Sequence, residues 1–152
     1  MIDILAKKQV KNGGFTLIEM AIVLLILATV LSIGLFSYEK SKETRKVEYF
    51  FEELQKDVYL TQRTAIHSEQ KASLIFFQKE HYYEIRLGND QVLKRKQIPQ
   101  DFIVFSTSMK LQIAYNRIGN VIESGTLHFQ TPVGDYRMVI LLGVGRFYVE
   151  RW

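Results

Sequence analysis

The sequence predicts an α+β protein: one long N-terminal helix, apolar all round and then amphipathic, packed on a C-terminal antiparallel β-sheet. Three observations predict it. An unbroken apolar run fills residues 15–36, with Glu19 as its single charge. A helical period of apolar residues follows between residues 47 and 65. From about residue 71 the period drops from 3.6 to 2, and turn residues recur between short alternating segments.

At helical rise, residues 15–36 extend about 33 Å, close to the hydrocarbon thickness of a bilayer. None of the faces of this stretch is polar, and a chain of 152 residues could hardly enclose it as a core helix. It reads as a membrane span. Secretory signals have shorter apolar regions, about 7–15 residues, although Ser32-Ile33-Gly34 has the small-x-small form of a cleavage site. A plain signal anchor is a further reading. Lys7, Lys8 and Lys11 precede the run and Lys40, Lys42, Arg45 and Lys46 follow it, so the positive-inside rule does not orient it.

Val47, Phe50, Phe51, Leu54, Val58 and Ala65 stand at i, i+3, i+4, i+7, i+11 and i+18, one face of an α-helix. Glu48, Glu52, Lys56 and Arg63 take the other side, and Glu52 with Lys56 is expected to pair at i,i+4. No proline interrupts residues 15–67, so a single helix of about 50 residues, about 80 Å long, is expected. An interruption would fall near Gly34 and Ser37. The change of pattern divides the chain into an apolar half-helix (15–36) and a globular domain (37–152), itself an amphipathic half-helix (37–67) and a sheet (71–152).

Eight short segments read as strands: 71–77, 81–87, 91–95, 101–106, 110–115, 125–130, 136–142 and 146–152. Gly88-Asn89-Asp90, Pro99, Asn116 with Gly119-Asn120, Pro132 to Asp135, and Gly143 to Gly145 separate them. Tight turns favour antiparallel pairing. Ile85, Leu87, Leu111, Ile113, Leu127, Phe129, Ile140, Phe147 and Val149 are expected to face the Val47–Val58 stripe.

Composition narrows the chemistry. There is no cysteine, which excludes disulfides, thiolate metal sites and a cysteine nucleophile. His67, His81 and His128 are not spaced as metal ligands, and Gly143-Val144-Gly145 is too short for a phosphate loop. No cofactor, no metal and no enzymatic activity are expected. The net charge is +4, and outside the first fourteen residues the chain is only weakly basic. Lys94-Arg95-Lys96 is the only basic triplet. It reads first as a charged edge strand that resists sheet-to-sheet addition, and second as a phosphate or DNA contact, with Tyr82 and Tyr83 available for stacking.

The segment Lys11-Asn12-Gly13-Gly14-Phe15-Thr16-Leu17-Ile18-Glu19 is the most specific feature. A basic leader ends in glycine, the apolar run starts at once, and a carboxylate stands at its fifth position. A carboxylate that close to lipid needs a partner. This segment resembles the class III signal, the GFTLIE box, of type IV prepilins and pseudopilins. The resemblance implies that a prepilin peptidase cuts after Gly14 and methylates the new amino terminus at Phe15. The apolar helix would then be retained as filament core. The amine created at Phe15 could meet Glu19 of a neighbouring subunit, and an ion pair in lipid is far less costly than either charge alone.

The resemblance extends into the body. Leu60-Thr61-Gln62-x-x-Ala65-Ile66, Gln70, Leu74-Ile75-Phe76, Tyr82-Tyr83, Leu142-Gly143-Val144-Gly145-Arg146 and Val149-Glu150-Arg151 are similar to the ComGD-type minor pseudopilins of Gram-positive competence machinery. Many major pilins carry a proline where this chain has Phe36. The resemblance implies the pilin fold and a structural role in a transformation pilus that binds and takes up extracellular DNA. It implies, as partners, the major pseudopilin, other minor pseudopilins, the prepilin peptidase, and the assembly ATPase with its platform protein. It places the chain in the cell membrane as a single span with a cytoplasmic leader, then at the cell surface. The alternatives are a minor pseudopilin of a type II secretion system and an anchored binding domain that never polymerises. The latter has no need of Glu19.

Overall fold

The structure is a computed structural model. It describes Gly14 and residues 16–152, with the backbone alone for residues 33–40. The chain divides into two compact units between Lys40 and Ser41. Helix α1 (Leu17–Ser68) contains that division and has no break at Gly34 or Ser37. It ends where Glu69 turns into the left-handed region at φ 54°.

In the unit from Ser41 to Trp152, the expected stripe is the packing face. Val47, Phe50, Phe51, Leu54, Val58 and Ala65 are all buried, whereas Glu48, Glu52, Lys56 and Arg63 are exposed. Two polar residues, Asp57 and Thr61, lie in the same buried stripe. The Thr61 hydroxyl donates to the Asp57 carbonyl at 2.7 Å, which satisfies it within the helix. The expected Glu52–Lys56 pair does not form. Lys56 lies 3.7 Å from Glu53 instead, one residue further round, where Glu53 also holds Lys96.

All eight strands form: β1 (Ala72–Phe77), β2 (Tyr82–Leu87), β3 (Gln91–Gln97), β4 (Ile103–Phe105), β5 (Gln112–Tyr115), β6 (Gly125–Thr131), β7 (Gly134–Ile140) and β8 (Phe147–Arg151). Every pairing is antiparallel. They make two four-stranded sheets, ordered β3-β2-β1-β5 and β4-β6-β7-β8. The partition depends on two pairings between strands distant in sequence, β1 with β5 and β4 with β6. Gln78, just after β1, joins the sheets. Its side chain accepts from Val104 N–H at 2.7 Å and donates to the Phe102 carbonyl at 3.3 Å.

Two local details differ from expectation. β7 starts at Gly134, so the turn after β6 is Pro132-Val133 alone. His81 stands in the turn before β2 with φ 52°, not in the strand.

The core is aromatic where α1 meets both sheets. Phe50 lies edge-on to Phe51 and Phe102, with centroids 5.5 and 5.0 Å away, and Phe129 meets Phe51 at 5.2 Å and Phe76 at 5.9 Å. Ile85, Ile113, Leu127, Phe129 and Ile140 are buried there, and Leu87, Leu111, Phe147 and Val149 pack against them half-buried. At the other end of the domain, Gln62 on α1 donates to the carbonyls of Gly119 and Val144, both at 2.9 Å. Gly145 is required there: its φ is 76°, and a Cβ would come within 2.6 Å of Gln62 and Tyr115.

Candidate assembly site

Thr16 caps α1. Its hydroxyl accepts the Glu19 N–H at 3.2 Å and its carbonyl accepts the Met20 N–H at 3.2 Å. Thr16-Leu17-Ile18-Glu19 therefore has capping-box spacing, and the acid in the first turn is favoured by the helix dipole. Among the described residues, the Glu19 carboxylate has no ion-pair or hydrogen-bond partner. It is exposed, and so are its neighbours Leu17, Ile18, Met20 and Ile22.

Gly14 is exposed, and among the described residues a Cβ there would meet nothing within 4 Å. The described residues give no reason for a glycine at this position. Phe15, the expected new amino terminus, lies outside the described residues.

The described side chains of the apolar half-helix run from Leu17 to Ser32. Its two hydroxyls are satisfied internally: Thr29 donates to the Ile26 carbonyl and Ser32 to the Ala28 carbonyl, both at 2.8 Å. Among the described residues, no helix is long and apolar enough to cross a membrane. Phe15 and the side chains of residues 33–36 complete the expected span and lie outside the described part.

The basic triplet is on β3, an edge strand, as its charge pattern suggests. It is not a free cationic surface. Lys94 binds Asp57 at 2.5 Å, Lys96 binds Glu53, and Arg95 binds Glu84 at 3.0 Å. Tyr82 stacks on Phe77 at 4.7 Å and lies under the Arg95 guanidinium at 4.5 Å. Tyr83 donates its hydroxyl to Asp57 at 2.8 Å. Each residue singled out for phosphate or base contact thus already has a partner in the domain.

Asp57 and Glu84, the acids that hold this arrangement, are buried. Asp57 could be suspected from the sequence, because it interrupts the helical apolar stripe at i+10 from Val47. Glu84 gives no such signal. Its partner Arg86, at 2.5 Å, stands two residues along the same strand, and Arg95 reaches it through strand register.

Burial, and then the hydrogen bond and charge of Asp57, push the Tyr83 phenol well above its ordinary value; burial does the same to Tyr115. In the unfolded chain both phenols ionise near pH 10. Stability from these raised values is complete below that pH and is lost as pH rises above it. Alkaline unfolding followed by circular dichroism should therefore begin above about pH 10, and Tyr83→Phe should lessen the dependence on pH.

His67 is exposed in the last turn of α1. His128 lies between Phe105 and Trp152, with centroids at 5.1 and 5.3 Å. Among the described residues, no three His, Asp or Glu side chains group as metal ligands.

Residues 10–35 match the family model of the prokaryotic N-terminal methylation motif. Over 142 residues the chain is 30% identical to the competence protein ComGD of Bacillus subtilis (strain 168), covering 93% of this chain and 95% of that protein. This chain belongs to the ComGD family of type IV minor pseudopilins. Two solved structures share its fold. The type IV minor pilin FimU of Pseudomonas aeruginosa matches with a TM-score of 0.59 at 12% identity, over 71% of this chain and 90% of FimU. The minor pseudopilin EpsH of the Vibrio cholerae type 2 secretion system matches with a TM-score of 0.50 at 12% identity, over 68% and 95%. As a ComGD-family pseudopilin, the chain joins a methylation-motif segment to a pilin-like domain whose core is built on the second half of α1.

Proposed function

We propose that this pseudopilin is a structural subunit of a transformation pilus, anchored in the membrane until assembly and engaged in uptake of extracellular DNA. The observation that carries the assembly mechanism is the unpartnered Glu19 carboxylate in the first turn of an apolar helix. A charge placed so has two stable situations: water at the membrane surface, or an opposite charge within lipid. The amine freed by cleavage after Gly14, and methylated at Phe15, supplies that opposite charge from an adjacent subunit. The competence role is supported by the ComGD relative, which aligns over nearly the whole chain.

In this reading, residues 1–14 are a removed leader, 15–36 the filament core and 37–152 the globular domain. The prepilin peptidase, the major and other minor pseudopilins, the assembly ATPase and its platform protein are the partners. No reaction is catalysed by the chain itself. Direct DNA contact through Lys94, Arg95 and Lys96 would have to displace the Asp57, Glu84 and Glu53 pairs, so DNA capture falls to the filament as a whole.

Processing tests the proposal first. Because nothing among the described residues requires glycine at position 14, its requirement should come from the peptidase. The mature chain should start at methylated Phe15 and be about 1.5 kDa lighter than the precursor. N-terminal sequencing and intact mass measure this. A start at Leu35 would indicate conventional signal peptidase, and an intact Met1 a plain anchor; either would overturn the proposal. Gly14 replaced by a bulky residue should stay uncut.

A further inference from the structure

Three of the four sheet edges are protected. β3 carries Lys94 and Lys96 in ion pairs to α1. The outward N–H of Val104 in β4 is taken by Gln78. β5 is covered by the following segment, where Ile122 N–H donates to the Ala114 carbonyl at 2.8 Å and Val121 bridges Tyr115. Among the described residues, β8 has no such cover. Its bonds to β7 are bounded by Leu141 N–H to the Arg146 carbonyl and Trp152 N–H to the Asp135 carbonyl, both at 2.9 Å. Alternation along an antiparallel ladder then turns the N–H and C=O groups of Phe147, Val149 and Arg151 to the free edge.

This edge faces a cleft of about 280 Å³ beside α1. Val149, Glu150 and Arg151 of β8 line the cleft with Tyr136 of β7, so it runs along the strand's edge and reaches under the neighbouring strand. The Arg151 guanidinium there already donates to the Val133 carbonyl at 2.7 Å. Val47 and Phe51 form its apolar wall, and Glu48 and Glu52 lie along its helix side. Neither acid has an ion-pair partner among the described residues, and like charges at i,i+4 are mildly unfavourable on a helix. Their separation, about 5–6 Å between Cβ atoms, is close to the spacing of alternate residues in a strand, about 6.6 Å.

We propose that the β8 edge accepts an extended basic segment of a partner protein as an added strand. The partner's backbone would pair with Phe147, Val149 and Arg151. Lysine or arginine at alternate positions would lay alkyl stems over Val47, Phe51 and Val149 and bring their charged heads to Glu48 and Glu52. Acidic segments are rejected by the same two carboxylates.

The test uses the full chain in uncharged detergent micelles and a synthetic peptide of about nine alternating lysine and threonine residues, a typical strand length. Amide hydrogen exchange at Phe147, Val149 and Arg151 should slow by about tenfold or more with the peptide. A peptide with glutamate in place of each lysine should give no protection. Glu48→Lys combined with Glu52→Lys should reverse that preference. Unchanged exchange at the three amides, or equal protection by both peptides, would overturn the proposal.

Discussion

Glu19→Val is expected to yield a subunit that is made, inserted and cleaved normally, yet is absent from sheared filaments and unable to support transformation. Valine makes the span more compatible with lipid, so insertion should be at least as good. The helix itself should lose little. The Thr16 hydroxyl caps the Glu19 backbone N–H, not its side chain, and an acid's interaction with the dipole contributes about 0.3–1 kcal/mol. The loss therefore falls on pairing between subunits. Glu19→Gln separates charge from shape: it keeps hydrogen-bonding capacity at the helix start and should fail equally. Normal transformation by Glu19→Val cells, with cleavage and membrane location verified, would contradict the ion-pair mechanism. Because a minor subunit can initiate assembly, filaments of the major subunit are expected to fall as well.

The second large effect concerns the core of the globular unit. Leu54 is fully buried, and Phe51 meets the rings of Phe50, Phe129 and Tyr136 at 5.5, 5.2 and 4.8 Å. Leu54→Ala or Phe51→Ala should cost about 2–5 kcal/mol, since a large buried side chain leaves both a transfer term and a cavity. Glu52→Ala, one residue away on the exposed face, should stay within about 0.5 kcal/mol. Urea melts monitored by circular dichroism measure all three. An unchanged midpoint for Leu54→Ala would mean that the stripe is not what holds the sheets to the helix.

Much of this architecture is legible in the sequence because local signals agree. The stripe from Val47 to Ala65 is buried residue for residue, since a helix fixes which side chains share a face. The eight strands appear where apolar alternation meets Gly, Pro and Asn turns. Interactions between distant segments were not legible. Nothing local announces that β1 pairs with β5, or β4 with β6, so a single sheet was expected where two exist. The same limit applies to Lys94, Arg95 and Lys96. Their charge is plain in the sequence, but their neutralisation by Asp57, Glu84 and Glu53 depends on register and on how β3 lies against α1.

At the assembly site, the sequence singles out Gly14 and Glu19 through an ordered motif, and the structure adds what each lacks. Among the described residues, Gly14 has no packing neighbour that would explain it and Glu19 has no partner within its own chain. In the proposed mechanism, a peptidase accounts for Gly14 and an adjacent subunit for Glu19.

The most direct measurement of that pairing is zero-length carbodiimide coupling in sheared filaments, with the products identified by mass spectrometry. The expected product is an amide joining the Phe15 amine of one subunit to Glu19 of another, lost in Glu19→Gln. Filaments that contain this pseudopilin but give no cross-link between Glu19 and an amino terminus would contradict it.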